Sequence, residues 1–406
     1  MTGPQNRTLR EENSRTVLVA LAGPIEDETS SSSSSEAGDE VASRFPQFIA
    51  AFFATLGAFS VGSIMGWTSP ALPHLLRPTE PDDFFVTPEQ GSWLGALVNL
   101  GALLGAAPAG IIAQQIGRQR FLTILALPLF ASWMLIAFGN SISMLYSGRF
   151  LGGLAAGAIS VTAPVYTGEI ADQRSRGALG TLFQLQLTMG ILFVYAIGAI
   201  APLRCLSFTC AFIPVLFFIT FIWMPETPQF LLSRGRKRAA KSSLQWLRGE
   251  DCHIEKELFL MQSAIQKAEA NTVGYKEALK VLVTEYATRK ALFIAFGLMI
   301  FQQLSGINAV IFYSGGIFSA AGGAISPAIA SLIIGLVQVL ATLCATVLVD
   351  RAGRRPLLLI SSMVMALCLA GLASSYALTT EDRPAWLSWL PLVKNRYGGA
   401  ILEALQ

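Results

Sequence analysis

From residue 45 onward the chain alternates long apolar runs with shorter polar breaks. A helix needs about 20 apolar residues to cross the hydrocarbon core of a bilayer. Runs of that length fall at approximately 45–67, 92–113, 121–139, 143–168, 178–200, 203–224, 291–318, 327–349 and 356–378. The pattern therefore predicts nine membrane-spanning helices, numbered here as spans one to nine. Two connectors are long, 69–91 and 225–290. In the second, Ile254, Leu258, Met261 and Ile265 recur at helical spacing, which predicts short amphipathic helices at the membrane surface. Residues 1–44 are polar and include six consecutive serines at Ser30–Ser35, a composition expected to stay disordered. No apolar stretch follows the first basic residues closely, so this segment does not read as a signal peptide.

Composition agrees with the pattern. Hydrophobic residues make up 53% of the 406, and charged residues only 14%, against about 25% in a soluble domain. A net charge of +3 suggests no nucleic-acid partner. The five cysteines, Cys205, Cys210, Cys252, Cys344 and Cys368, include no CxxC pair. The two histidines, His74 and His253, lie far apart in polar segments. Neither set suggests a metal site or a disulfide framework. No cofactor motif, phosphate loop or nucleophile triad is visible, so the reading is not an enzyme.

The placement of basic residues predicts orientation. Arg118 and Arg120 follow span two, Arg174 and Arg176 follow span four, and Arg351, Arg354 and Arg355 follow span eight. The 69–91 loop holds one arginine and four acids, and the 139–144 and 319–326 loops hold no charge. The N-terminus and the 225–290 segment are thus expected in the cytosol, in a multi-pass protein of the cell membrane.

One apolar run is interrupted in an unusual way. Residues 301–314 read FQQLSGINAVIFYS. Amides and hydroxyls in hydrocarbon cost free energy unless something satisfies them. Gln and Asn each offer donors and an acceptor on one group, so each calls for more than one partner here. Holding helices together is one use of such residues.

An internal echo adds to this. The loop after span two reads AQQIGRQR, and the loop after span eight reads VDRAGRRP. Two basic turns six spans apart suggest a six-plus-six duplication. DRAGRRP, PVYTGEIADQRSRG after span four, PETPQFLL after span six and QQLSGIN in span seven resemble the sugar porter family of the major facilitator superfamily. SVGSIMGWTSPALP and LGALVNLGALLGA, in spans one and two, are most similar to insect facilitated trehalose carriers and their glucose-carrying relatives.

The resemblance implies an all-α polytopic fold whose central cavity binds sugar. It implies sugar contacts from Gln302, Gln303, Asn308 and Tyr313 in span seven. Gln184 in span five matches a further sugar-contacting position, with Gln186 as its local competitor. A cytoplasmic charge gate is implied for Arg118, Glu169, Arg176, Glu226, Asp350, Arg354 and Arg355, with ion pairs between the two halves favouring an outward-open state. Simple positive-inside topology accounts for part of the same charge. Gln114 and Gln229 stand where the family usually has an aspartate and an arginine. Arg149 in span four either snorkels to the outer surface or carries a charge inside the bundle. Proton-driven members carry a carboxylate in span one, whereas residues 45–67 contain no Asp or Glu. That favours facilitated diffusion of trehalose or a hexose.

The expected organisation is a cytoplasmic tail over 1–44, a six-helix bundle over 45–224, a cytoplasmic loop over 225–290, an incomplete second bundle over 291–393 and a divergent tail over 394–406. The apolar piece 385–393 is too short to cross a bilayer. Three further helices are therefore expected to be missing. An alternative function follows, a non-transporting partner that associates with a full-length carrier and regulates it.

Overall fold

The computed structural model describes residues 45–76, 85–172, 175–249, 254–270, 285–306, 308, 311–312 and 326–377. They form thirteen bounded helices, and no strand occurs among them. The first seven are α1 (Phe45–Gly66), α2 (Thr68–Leu76), α3 (Pro88–Ile116), α4 (Arg118–Ala137), α5 (Ile142–Ile170), α6 (Arg176–Gly198) and α7 (Leu203–Phe221). Three short helices follow, α8 (Pro228–Ser233), α9 (Lys237–Arg248) and α10 (Ile254–Ala270). The last three are α11 (Tyr286–Leu304), α12 (Pro327–Ala352) and α13 (Arg354–Ala377).

Among the described residues, seven spans are long and apolar enough to cross a membrane: α1 with α2, then α3 to α7, and Ala328–Leu348 of α12. Spans seven and nine correspond to α11 and α13. α11 begins early, at Tyr286, and so takes in Arg289 and Lys290. It ends at Leu304, where Ser305 caps it and Gly306 turns with φ +74°. The predicted run to residue 318 is thus broken after its first half. α13 runs over 24 residues, Arg354–Ala377, and covers almost all of the predicted run 356–378. The first part of the 69–91 connector is also helical, since α2 continues span one beyond Trp67.

Small residues let the first helices approach closely. A Cβ on Gly101 or Gly105 of α3 would collide with the carbonyls of Phe150 or Leu154 on α5. A Cβ on Gly153 or Gly157 of α5 would collide with those of Val98 or Ala102 on α3. Each helix thus presents two glycines four residues apart to the other's backbone, a packing mode favoured where water supplies no hydrophobic drive between helices. α1 and α6 repeat the device, with Gly62 against Leu187 and Gly190 against Phe59. Buried side chains from α1 to α7, including Trp67, Leu122, Trp133, Ile159 and Phe217, fill the space between them. Large apolar side chains such as Leu103, Ile111, Leu127 and Phe212 remain exposed on the outside, as suits a lipid-facing surface.

The second part of the chain joins this bundle through α12, which packs against α6. Gly335 sits against Leu192 and Tyr195 there. The three short helices have a small core of their own. Phe230, Leu231, Leu232 and Ala240 are buried, and Leu258, Met261 and Ile265 pack on them. The helical spacing read in residues 254–265 is therefore the spacing of the face that packs on this small core.

Candidate functional site

Four groups of polar residues stand out, two within the bundle and one at each of its ends.

The middle group follows the break in α11. Gly306 turns the chain, so the residues after it do not continue the helix line. Asn308 then donates from Nδ2 to Gln303 Oε1 at 2.9 Å. The bond uses one donor and one acceptor and leaves the Gln303 amino group and the Asn308 carbonyl oxygen for other partners. Gln303 is exposed, and Gln302 and Asn308 are half-buried. Tyr313 lies outside the described residues. Past Asn308, Ile311 and Phe312 are buried against Ile191 and Tyr195 of α6. Tyr195 Oη donates to the Ile311 carbonyl at 2.9 Å.

That contact shows which face of α6 meets this segment. On a 3.6-residue helix, Gln184 lies within about 20° of both Ile191 and Tyr195. It shares their face, about 10 Å along the axis from Ile191. Gln186 points about 160° away from Gln184, toward the Gly190 side that packs on α1. Gln186 is buried, whereas Gln184 is half-buried.

Arg149 lies in the interior, with no exposed surface. This answers the choice left open by the sequence, since the side chain does not snorkel outward. Its Nε donates to the Leu94 carbonyl at 3.1 Å, Nη1 to the Ile64 carbonyl at 2.5 Å and Nη2 to Thr68 Oγ1 at 2.6 Å. The guanidinium also sits 5.2 Å from the centroid of the Trp67 ring. It thereby ties α5 to α3 and to the α1–α2 junction. All three acceptors are uncharged.

At one end of the bundle, Arg118 Nε and Nη2 donate to Glu169 Oε1 at 3.2 and 3.0 Å. Glu226 Oε1 accepts backbone N–H bonds from Arg118, Gln119 and Thr227 at 3.0, 3.0 and 3.1 Å. Glu226 thus caps the start of α4 from another element. The residue before α4 is Gly117, which has no side chain to do so and adopts φ 109°. A carboxylate at a helix N-terminus meets unsatisfied N–H groups and the positive end of the helix dipole. Tyr166 Oη donates to the Pro225 carbonyl, and Ser243 Oγ to the Glu226 carbonyl, which fixes the segment.

The short helices are held to the same end by arginines on helix C-termini. Arg234 Nη2 donates to the carbonyls of Gln114 and Gln115 at the end of α3. Arg248 Nη1 donates to the Ile170 carbonyl at the end of α5 and pairs with Glu257 at 2.8 Å. Lys241 pairs with Glu255 at 2.9 Å and draws that exposed carboxyl below its ordinary pKa.

The structure therefore brings Arg118, Glu169 and Glu226 together. Arg176 and Arg355 are exposed and belong to no ion pair among the described residues. The side chains of Asp350 and Arg354 lie outside the described residues. The three described ion pairs all fall within residues 118–257, so none joins the first half to the second. Gln114 and Gln229 are exposed, and Gln114 serves the network through its backbone carbonyl. Sequence reasoning missed the capping role of Glu226. The glycine before α4 was the available signal.

At the opposite end the two halves touch directly. Ser69 Oγ of α2 and Ser331 Oγ of α12 are 3.5 Å apart. Beside them is a cavity of about 230 Å³ lined by Ser69, Pro73, His74, Tyr195, Ser326 and Ser331.

Comparison with known proteins adds to this geometry. Residues 86–394 match the model of a family described as sugar (and other) transporter. The chain is 38% identical over 348 residues to a facilitated trehalose transporter, Tret1, of Bombyx mori, covering 85% of this chain and 67% of that one. It is 38% identical over 351 residues to the Tret1 of Polypedilum vanderplanki, covering 86% and 68%. The Drosophila mojavensis Tret1 is 39% identical over 348 residues, and this chain spans 40% of its length. Among solved structures, the proton:xylose symporter XylE bound to 6-bromo-6-deoxy-D-glucose superposes with a TM-score of 0.71 at 23% identity, over 88% of this chain and 81% of that one. A partially occluded inward-open form of XylE from E. coli gives 0.68 at 22% identity, over 88% and 86%.

Proposed function

The chain belongs to the sugar transporter family of the major facilitator superfamily, and from that membership we propose that it is a facilitative carrier for trehalose or a hexose. The observation that carries this reading is the broken span seven. Gly306 turns the chain out of a helix, and Asn308 beyond the turn pairs with Gln303 before it, with donor and acceptor capacity to spare. A sugar leaving water must have its hydroxyl hydrogen bonds replaced, and neutral amides do so without the desolvation cost of a buried charge. Gln302, Gln303, Asn308 and Tyr313 from span seven and Gln184 from α6 are the proposed sugar contacts.

Uniport is supported by the surroundings of Arg149. Residues 45–67 carry no Asp or Glu, and the guanidinium is held by two carbonyls, one hydroxyl and an aromatic face. Proton-coupled carriers rely on an intramembrane acid that changes charge. Alternating access is supported by the contacts between halves, which lie at Ser69–Ser331 and Tyr195–Ile311, away from the charged end. The charged residues Arg118, Glu169, Arg176, Glu226, Asp350, Arg354 and Arg355 form the proposed cytoplasmic gate. In the conformation described, the Arg118–Glu169 pair braces one half internally. The cytoplasmic position of the N-terminus and the bundle boundaries at 224 and 291 belong to the same proposal.

Uptake of labelled trehalose and glucose into oocytes expressing the 406-residue chain tests the reading. The expected result is saturable uptake that a proton gradient does not drive and that Asn308→Ala reduces at least about tenfold, the loss of one buried charge-free contact or two. A surface-expressed, inserted chain with no uptake of either sugar would overturn it. That outcome would favour the partner of a full-length carrier.

A further inference from the structure

The charged end holds more basic residues than its acids neutralise. Lys241 and Arg248 of α9 pair with Glu255 and Glu257. Arg120, Arg234, Arg236, Lys237 and Arg238 are all exposed, and no carboxylate among the described residues forms an ion pair with them. Four of these five lie in one turn of chain, Arg234 to Arg238, bent by Gly235 at φ +71°.

The position of this turn is also defined. Arg234 grips the last carbonyls of α3, a membrane-spanning helix, at 3.1 and 2.6 Å. It stacks at 5.5 Å over Phe230, and Arg118 stacks on the same ring at 5.2 Å. Arg238 is four residues further and so within about 15 Å along the chain. The basic turn therefore sits beside the end of a spanning helix. Around that end, Ile116 of α3 and Ile222 and Trp223 after α7 are exposed, Trp223 at 80%. Aromatic residues with this placement mark the level of lipid headgroups.

We propose that Arg120, Arg234, Arg236, Lys237 and Arg238 form a docking surface for the phosphate-bearing headgroups of anionic phospholipids in the adjacent leaflet, with Trp223 at its edge. A solvated basic face elsewhere on a protein needs no partner, but this one has no carboxylate paired with it among the described residues and lies at membrane level. Each Lys or Arg close to an anionic surface favours binding by a factor of about five, and the effect fades within a Debye length of about 8 Å. The proposal needs the helices to span a bilayer, and it does not depend on which solute the protein moves.

The test uses the purified full chain in mixed micelles containing equal amounts of phosphatidylserine and phosphatidylcholine. Native mass spectrometry reads the ratio of the two lipids retained. The wild type should retain phosphatidylserine in excess, and Lys237→Gln should reduce the excess about fivefold. The combined Arg236→Gln, Lys237→Gln and Arg238→Gln substitutions should abolish it. Arg236→Lys with Arg238→Lys should keep it, and raised salt should weaken it. All of these positions are exposed, so the melting temperature should not move. Equal retention of both lipids by the wild type, or an excess unchanged in the triple variant, would overturn the proposal. Sugar uptake is not part of the readout, so failure here leaves the transport reading standing.

Discussion

Arg149 shows how a buried cation can be held without a charged partner. Burying a cation costs several kcal/mol, and here three directed hydrogen bonds and a Trp67 face offset it. Replacing Arg149 with Met removes three buried hydrogen bonds from a charged donor, each worth about 1.5–3 kcal/mol. Arg149→Met should therefore lower the melting temperature of the purified protein by several degrees. Arg149→Lys should not restore it, because one ammonium cannot reproduce the planar fork. Recovery with lysine would show that charge alone matters. Glu226 acts at the same scale. Glu226→Ala removes the acceptor for two N–H groups at the start of α4 and for the N–H of Thr227, a loss of about 1–2 kcal/mol on capping precedent. A thermal melt unchanged in Glu226→Ala would deny the cap. Gly117→Ala should be destabilising as well, since the added methyl would meet the Glu226 carboxylate at a positive φ.

At the scale of elements, the α3–α5 seam carries the packing argument. A side chain at Gly105 or Gly157 would drive into the opposing backbone, whereas Gly110, on the same helix as Gly105, faces open space. Gly105→Val and Gly157→Val should leave little folded protein on size-exclusion chromatography, while Gly110→Val should behave as wild type. Equal tolerance at all three positions would refute close helix approach as the reason for these glycines. The helices themselves were largely legible from the apolar runs, because a bilayer enforces their length. The break in span seven was not. SGIN reads as polar residues in an apolar stretch, and only the backbone at Gly306 shows a turn rather than a glycine carried within a helix. Likewise, the QLQ pair offered two glutamines, and the contact of Tyr195 with Ile311 was needed to show which face of α6 meets the second half. The PETP glutamate was legible as a charge near the membrane, but its role depends on where α4 begins.

At the scale of the molecule, two halves meet through α6 and α12 and touch at the end away from the charges. In the proposed transport cycle this end must open. Ser69→Cys combined with Ser331→Cys, in a chain whose native cysteines are serine, places two thiols where hydroxyl oxygens are 3.5 Å apart. Oxidation should stop uptake, and reduction should restore it. Uptake that continues after complete cross-linking would mean that this closure need not separate. The charged end poses the complementary requirement. Its described ion pairs brace the first half and its short helices internally, so the halves can part there without breaking any of them.

The account depends most on water and sugar reaching Asn308. Asn308→Cys in the cysteine-free chain, probed with a water-borne thiol reagent in sealed vesicles, measures this directly. The account predicts modification that trehalose or glucose slows. A thiol at 308 that stays unmodified in a correctly inserted protein, or reacts at the same rate with either sugar present, would contradict it.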